Sequence, residues 1–210
     1  MTEAEFRALA AQGYNRIPLV LESFADLDTP LSLYLKLANA RYTFLLESVV
    51  GGERFGRYSF IGLPAKTRIR ARGRAIEVGS DAGVLERHEG DPLAFVSDFL
   101  RRYRVAPGAE LPRFCGGLAG YFGYDTVRHI ETKLAGRGPA GTSGIDDVPD
   151  ILLLLTEELA VVDNLAGKIY LIVYADPRHR VPTRTHGSGC SSCTASCGSR
   201  SRFRRRRAAR

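Results

Sequence analysis

Residues 42–62 read YTFLLESVVGGERFGRYSFIG, and how this stretch is read decides the fold. Phe44, Leu46, Ser48 and Val50 fall on one side of an extended strand, and Thr43, Leu45, Glu47 and Val49 on the other. Gly51 and Gly52 supply a turn, and Tyr58, Phe60 and Ile61 supply a partner strand, so the stretch predicts a β-hairpin. Glu47 and Ser48 are then polar residues inside an apolar strand. A buried carboxylate and hydroxyl need hydrogen-bonding partners. Either neighbouring backbone provides them, which makes this a satisfied core strand, or a ligand with its own donors does, which makes it a site.

Upstream of the hairpin, the pattern predicts a short helix over residues 3–12 stopped by Gly13, then a strand over 17–24 with Pro18 marking an edge or a strand start. A second helix follows, capped by Asp28 or Thr29, with Pro30 in its first turn and Asn39 closing it. Its apolar face is read as Leu31, Tyr34, Leu35 and Ala38, at i, i+3, i+4 and i+7.

Downstream, residues 66–78 form a second hairpin turning at Gly73-Arg74, with Lys66, Arg68, Arg70 and Arg72 on one face. No aromatic residue is interleaved among these cations to stack a base, so they read as a solvated face. Asp91-Pro92 opens a third helix whose apolar side carries Leu93, Phe95, Val96, Phe99, Leu100 and Tyr103. Arg101, Arg102 and Arg104 complement its C-terminal dipole.

Residues 136–149 are a loop, and 151–162 with 169–174 make a long apolar hairpin across 163–167. Asp146, Asp147, Asp150, Glu157 and Glu158 show neither metal-ligand spacing nor a matched acid/base pair. The fold class is therefore α+β: largely antiparallel sheets in a sandwich-like arrangement, with helices packed outside.

Residues 114–125, FCGGLAGYFGYD, are glycine-rich without being GxGxxG or a Walker loop, and their glycines suit close packing of a strand. Cys115 is a lone thiol of the core type. Taken together, LLES at 45–48, GRYSFIG at 56–62 and the GG-x-x-GY-x-x-YD pattern resemble the N-terminal part of anthranilate synthase component I, the chorismate-using family of tryptophan biosynthesis. The glycine signature is shared with aminodeoxychorismate synthase component I, which stays open as the alternative; LLES favours the former.

The resemblance implies that Leu46, Glu47 and Ser48 contact the inhibitor L-tryptophan, Ser48 foremost; Arg57 and Tyr58, on the partner strand, are candidates that this carry-over does not include. It also implies that chorismate, Mg²⁺ and the catalytic His and acids belong to a part of the family with no counterpart here. No catalytic residue, metal or cofactor is then expected in this chain, and its fold is incomplete relative to the family's. The implied partners are a glutamine amidotransferase subunit and tryptophan, the latter bound weakly or not at all in isolation because the absent part completes the pocket.

Charge divides the chain. Residues 1–177 hold 20 Lys and Arg against 23 Asp and Glu, whereas 178–210 hold 10 Arg and no acid. The first segment reads as the family-like domain. No apolar run approaches the roughly 18 residues of a membrane span, and the acidic N-terminus lacks a secretory h-region, so a cytoplasmic location is expected.

The second segment contains no Lys, and Phe203 is its one large apolar residue after Val181, which predicts a disordered tail. His186, Cys190, Cys193 and Cys197 have soft-ligand spacing for zinc, and the arginine run could attract nucleic acid without specificity. A stand-alone ligand-binding module is a further reading of the whole chain. An out-of-frame origin accounts for more of the tail. With GC-rich codons, CSSCTASCG read two bases into the Gly189 codon becomes LQQLHRQLR, with leucines at i, i+3 and i+7. That explains the cysteine spacing, the missing acids and the absent core residues together.

Overall fold

The computed structural model describes residues 1–47, 56–107, 111–112, 114–134 and 148–178. The Gly51-Gly52 turn, Asp146, Asp147, most of the 136–149 loop, and the tail from 179 onward with its His and Cys residues lie outside the described residues. The helices among them are α1 (Glu3–Ala11), α2 (Pro30–Leu37) and α3 (Pro92–Arg101). The strands are β1 (Ile17–Phe24), β2 (Phe44–Leu46), β3 (Tyr58–Gly62), β4 (Arg68–Arg72) and β5 (Ala75–Ser80), followed by β6 (Gly83–Glu89), β7 (Gly117–Phe122), β8 (Ile151–Thr156), β9 (Glu158–Asp163) and β10 (Lys168–Ala175). They form two antiparallel sheets of five strands, ordered β1-β10-β9-β3-β2 and β6-β5-β4-β8-β7. The fold is α+β.

The helix starts follow the sequence signals. Thr29 accepts a hydrogen bond from the Ser32 amide, and Asp91 from the Leu93 amide, each just ahead of a proline that needs no donor there. The buried stripe of α2 differs from the expected one: Leu33 and Ala38, with Tyr34 and Leu37, pack on the first sheet, while Leu31 and Leu35 are exposed. Asp28 accepts from Ser32 and Lys36 on the polar side of the helix.

The apolar run 151–162 is divided between the two sheets. β8 ends at Thr156 and β9 begins at Glu158, so one stretch of chain feeds both cores. On the second sheet Ile69, Ile76, Ile151 and Leu153 pack beneath Phe99 of α3. β7 lies against β8, and a side chain at Gly120 would collide with the Leu152 carbonyl, which is why glycine recurs there.

Arg68 corrects the reading of the cationic face. Its side chain is largely buried, with its guanidinium 3.9 Å from the Tyr42 ring centre and paired to Asp81, whereas Arg70 and Arg72 are exposed.

Candidate functional site

The predicted hairpin forms with β2 paired to β3 in the register Phe44↔Gly62, Leu45↔Ile61 and Leu46↔Phe60. Its two faces meet different surroundings. Leu45 and Ile61 point toward α2, joined across the sheet by Ala160 and Val162. Phe44, Leu46 and Phe60 point the other way, where Phe114 meets the Phe60 ring edge-on at 5.3 Å between centroids and Phe44 at 6.3 Å. Gly62 makes room for this: a side chain there would occupy the space of the Phe44 ring. Tyr58, Tyr170 and Tyr174 extend the aromatic surface around a floor of Leu159, Val161 and Ile172.

Tyr42 sets the start of β2. It is the one non-glycine residue with positive φ among the described residues, at 60°, a conformation that costs roughly 1–2 kcal/mol. Contacts from three directions hold it. Arg68 stacks on the ring, Arg70 donates to its hydroxyl at 2.7 Å, and its carbonyl accepts from the Ala65 amide at 3.0 Å.

The far end of β3 is fixed by Asp163. Its carboxylate, sealed from solvent, accepts from Arg57 Nε at 2.8 Å and Nη2 at 2.6 Å, and from the Leu165 and Ala166 amides at 3.1 and 3.0 Å. The Arg57 bond, followed by the two amides, holds this carboxyl below the usual carboxylate range against the opposing effect of burial. Arg57 is thereby committed to the β9–β10 turn, although it also lies over the Tyr58 ring at 5.0 Å.

Of the three residues that the family pattern marks, Leu46 borders the aromatic face and is 52% exposed. Glu47 is exposed too, which corrects the burial expected of it from sequence: β2 is a three-residue edge strand that ends at Leu46, so the next carboxylate faces water. Ser48 lies outside the described residues. Leu46 and Glu47 thus leave the sheet at the border of a half-buried aromatic cluster that includes Phe60 and Phe114. Phe114 and Tyr42 were not singled out in the sequence; nothing local marks Phe114, whose partner Phe60 is far away in the chain. Among the described residues, no three His, Cys, Asp or Glu side chains converge to hold a metal ion.

No protein-family model matches the chain. It is 58% identical over 180 residues to the anthranilate synthase component 1 of Neisseria meningitidis serogroup C, an alignment covering 84% of this chain and 36% of the relative. To that of Pseudomonas aeruginosa it is 53% identical over 181 residues, with the same shares covered. The crystal structure of anthranilate synthase component I from Streptococcus pneumoniae TIGR4 superposes with a TM-score of 0.46 at 24% identity, over 76% of this chain and 33% of that one. The chain spans about a third of the length of the curated relatives it matches. Over 84% of its residues it is thus a homologue of anthranilate synthase component 1, corresponding to about a third of that protein.

Proposed function

We propose that the chain is the N-terminal, tryptophan-sensing portion of an anthranilate synthase component I, working in the cytoplasm, with the inhibitor seated where β2 leaves the first sheet. The supporting observation is the identity of 53% and 58% to named relatives across a region that contains LLES, joined to a hairpin register that puts Leu46 beside Phe60 on the aromatic face. In this reading the indole lies against Leu46, Phe60 and Phe114, the ammonium meets Glu47, and the Ser48 hydroxyl completes the polar end. The conversion of chorismate and an ammonia source to anthranilate and pyruvate, and its Mg²⁺, belong to sequence that the chain does not span. A glutamine amidotransferase subunit is the partner of the whole assembly.

A chimera tests this: residues 1–177 replace the matching part of the Neisseria meningitidis enzyme, and anthranilate formation is followed against L-tryptophan. The chimera is inhibited, and Leu46→Ala or Ser48→Ala raises the half-inhibitory concentration by about tenfold or more, roughly 1.4 kcal/mol, with the uninhibited rate unchanged. Inhibition that is indifferent to both changes sinks the assignment. The chain by itself gives little or no calorimetric heat with tryptophan. Tight stoichiometric binding lost in Ser48→Ala would instead show that the pocket is already complete here.

A further inference from the structure

β2 has little hold on its own sheet. It pairs with β3 through three residues only, and among the described residues its outer edge meets no further strand. So short an antiparallel ladder supplies few hydrogen bonds to fix its direction. Its Leu46 end is half in solvent, which leaves the aiming of the strand to its root at residues 42 and 43.

The root is fastened to two other elements. Thr43 Oγ1 donates to the Ala40 carbonyl at 2.9 Å and accepts from the Tyr34 hydroxyl of α2 at 2.8 Å. Tyr42 is fastened to the second sheet, where Arg68 and Arg70, alternate residues of β4, take its ring and its hydroxyl. Asp81, just after β5, pairs with Arg68 at 2.5 Å. β2 thus belongs to the first sheet by its ladder and to the second by its root.

Tyrosine is a costly residue for this joint. At φ 60° a glycine or asparagine sits with less strain, and a bulkier residue persists there only where its surroundings over-determine it. We propose that the stack of Tyr42 on Arg68 is a latch that holds β2 in the direction that presents Leu46 beside Phe60, which makes Tyr42 a positioning residue for inhibition by tryptophan. This rests on the tryptophan-sensing role proposed for β2 and adds the device that aims it. Released from Arg68, Tyr42 relaxes to negative φ, and that rotation swings the residues that follow. β2 then spends only part of its time in the competent direction, and the apparent affinity for tryptophan falls by that fraction. Tyr42 and Arg68 act through β2 and not by touching the inhibitor.

The test uses the chimeric enzyme. Tyr42→Gly removes the ring and accepts the positive φ, so it opens the latch without adding strain. The half-inhibitory concentration of tryptophan rises about tenfold, as for a competent fraction of about a tenth, while the uninhibited kcat and the KM for chorismate do not change. Tyr42→Phe keeps the ring on Arg68 and stays within about threefold of the parent chimera. Arg68→Met keeps the bulk, loses the cation and gives the same rise as Tyr42→Gly. The double variant goes no further than either alone, because both changes open one latch.

Full sensitivity in Tyr42→Gly and Arg68→Met, with Leu46→Ala still desensitised, overturns the latch and leaves the tryptophan assignment standing. If Leu46→Ala and Ser48→Ala are also without effect, the assignment itself has failed and the latch falls with it. A loss of uninhibited activity in step with the loss of inhibition also overturns the latch, since a general folding defect then explains both.

Hydrogen exchange on the full chain reads the same joint without tryptophan. In Tyr42→Gly the amides of residues 44–46 exchange about tenfold faster, while those of β9 and β10 keep their rates. Unchanged exchange at 44–46 shows that the root does not aim the strand, and it overturns the proposal.

Discussion

The two faces of the first sheet are built from alternate residues of the same strands, yet they differ in kind. On one face Leu33 and Ala38, from α2 and its C-terminal end, close over Ile61, Ala160, Val162 and Ile169, an aliphatic cluster with little left for solvent. On the other, the neighbours of those very residues are Phe60, Val161 and Tyr170, joined by Tyr58, Phe114 and Tyr174, and the half-exposed Leu46 marks its border. Branched aliphatics interdigitate and exclude water, so the α2 face carries stability. Aromatic rings left partly uncovered retain flat surface that a planar guest can join, which is the role the proposed function gives this face.

That division is most exposed to refutation at adjacent residues of β3. Ile61 is fully buried on the aliphatic face, and Ile61→Ala is expected to lower the unfolding free energy by about 3 kcal/mol in urea titration. Phe60→Ala removes a larger side chain from a face that is only partly covered, and is expected to cost about 2 kcal/mol or less. A Phe60 variant as damaged as the Ile61 variant would mean that the aromatic face is core and not a recognition surface.

Asp163 joins the two faces through the turn below them, and its effect is next in size. Its folded pKa lies below the unfolded value of about 3.9, through Arg57 first and the turn amides next. The unfolded chain therefore binds a proton more readily. The stability that this carboxylate supplies is fully present above that value, and it is lost as pH falls through the lower folded pKa. Unfolding followed from pH 7 to pH 3 should show no change from this group down to about pH 5 and a decline below pH 4. Asp163→Asn should cost about 2 kcal/mol at pH 7 and flatten that acid decline. Asp176, lowered chiefly by Arg178 and also by Arg16, titrates in the same direction, so some of the decline remains in the variant.

Much of this architecture was legible in the residues. Period-two alternation placed the β2–β3 pairing, alternation with turn chemistry placed the β4–β5 hairpin, and proline after a capping residue placed α2 and α3. What escaped was set by contacts distant in sequence. Leu31 and Leu35 form as good a stripe as Leu33 and Leu37, and the choice between them is made by the sheet residues Ile61, Ala160 and Val162, which are distant in sequence. The run from Ile151 has one composition but serves two sheets, a division made by the partners β4 and β3. Arg68 looked solvated because nothing local announces that Tyr42 folds back over it. LLES marked Leu46 by family pattern, whereas Phe114, which builds the surface beside it, carries no local signal at all.

The smallest effect on stability is the sharpest test of the division, because it uses one side-chain type at consecutive positions. Leu45 packs against the α2 cluster, and Leu46 sits half in solvent beside Phe60. Leu45→Ala should cost about 1–2 kcal/mol of unfolding free energy, and Leu46→Ala about 0.5 kcal/mol, since the methyl groups removed at position 46 already touch water. In the chimeric enzyme the order inverts. Leu46→Ala weakens inhibition by tryptophan about tenfold, and Leu45→Ala leaves it within about twofold. Two leucines that trade places between a stability assay and an inhibition assay would separate a structural face from a sensing face within one strand. If both measurements rank them alike, β2 has a single role, and the aromatic surface beside it is a core awaiting its cover.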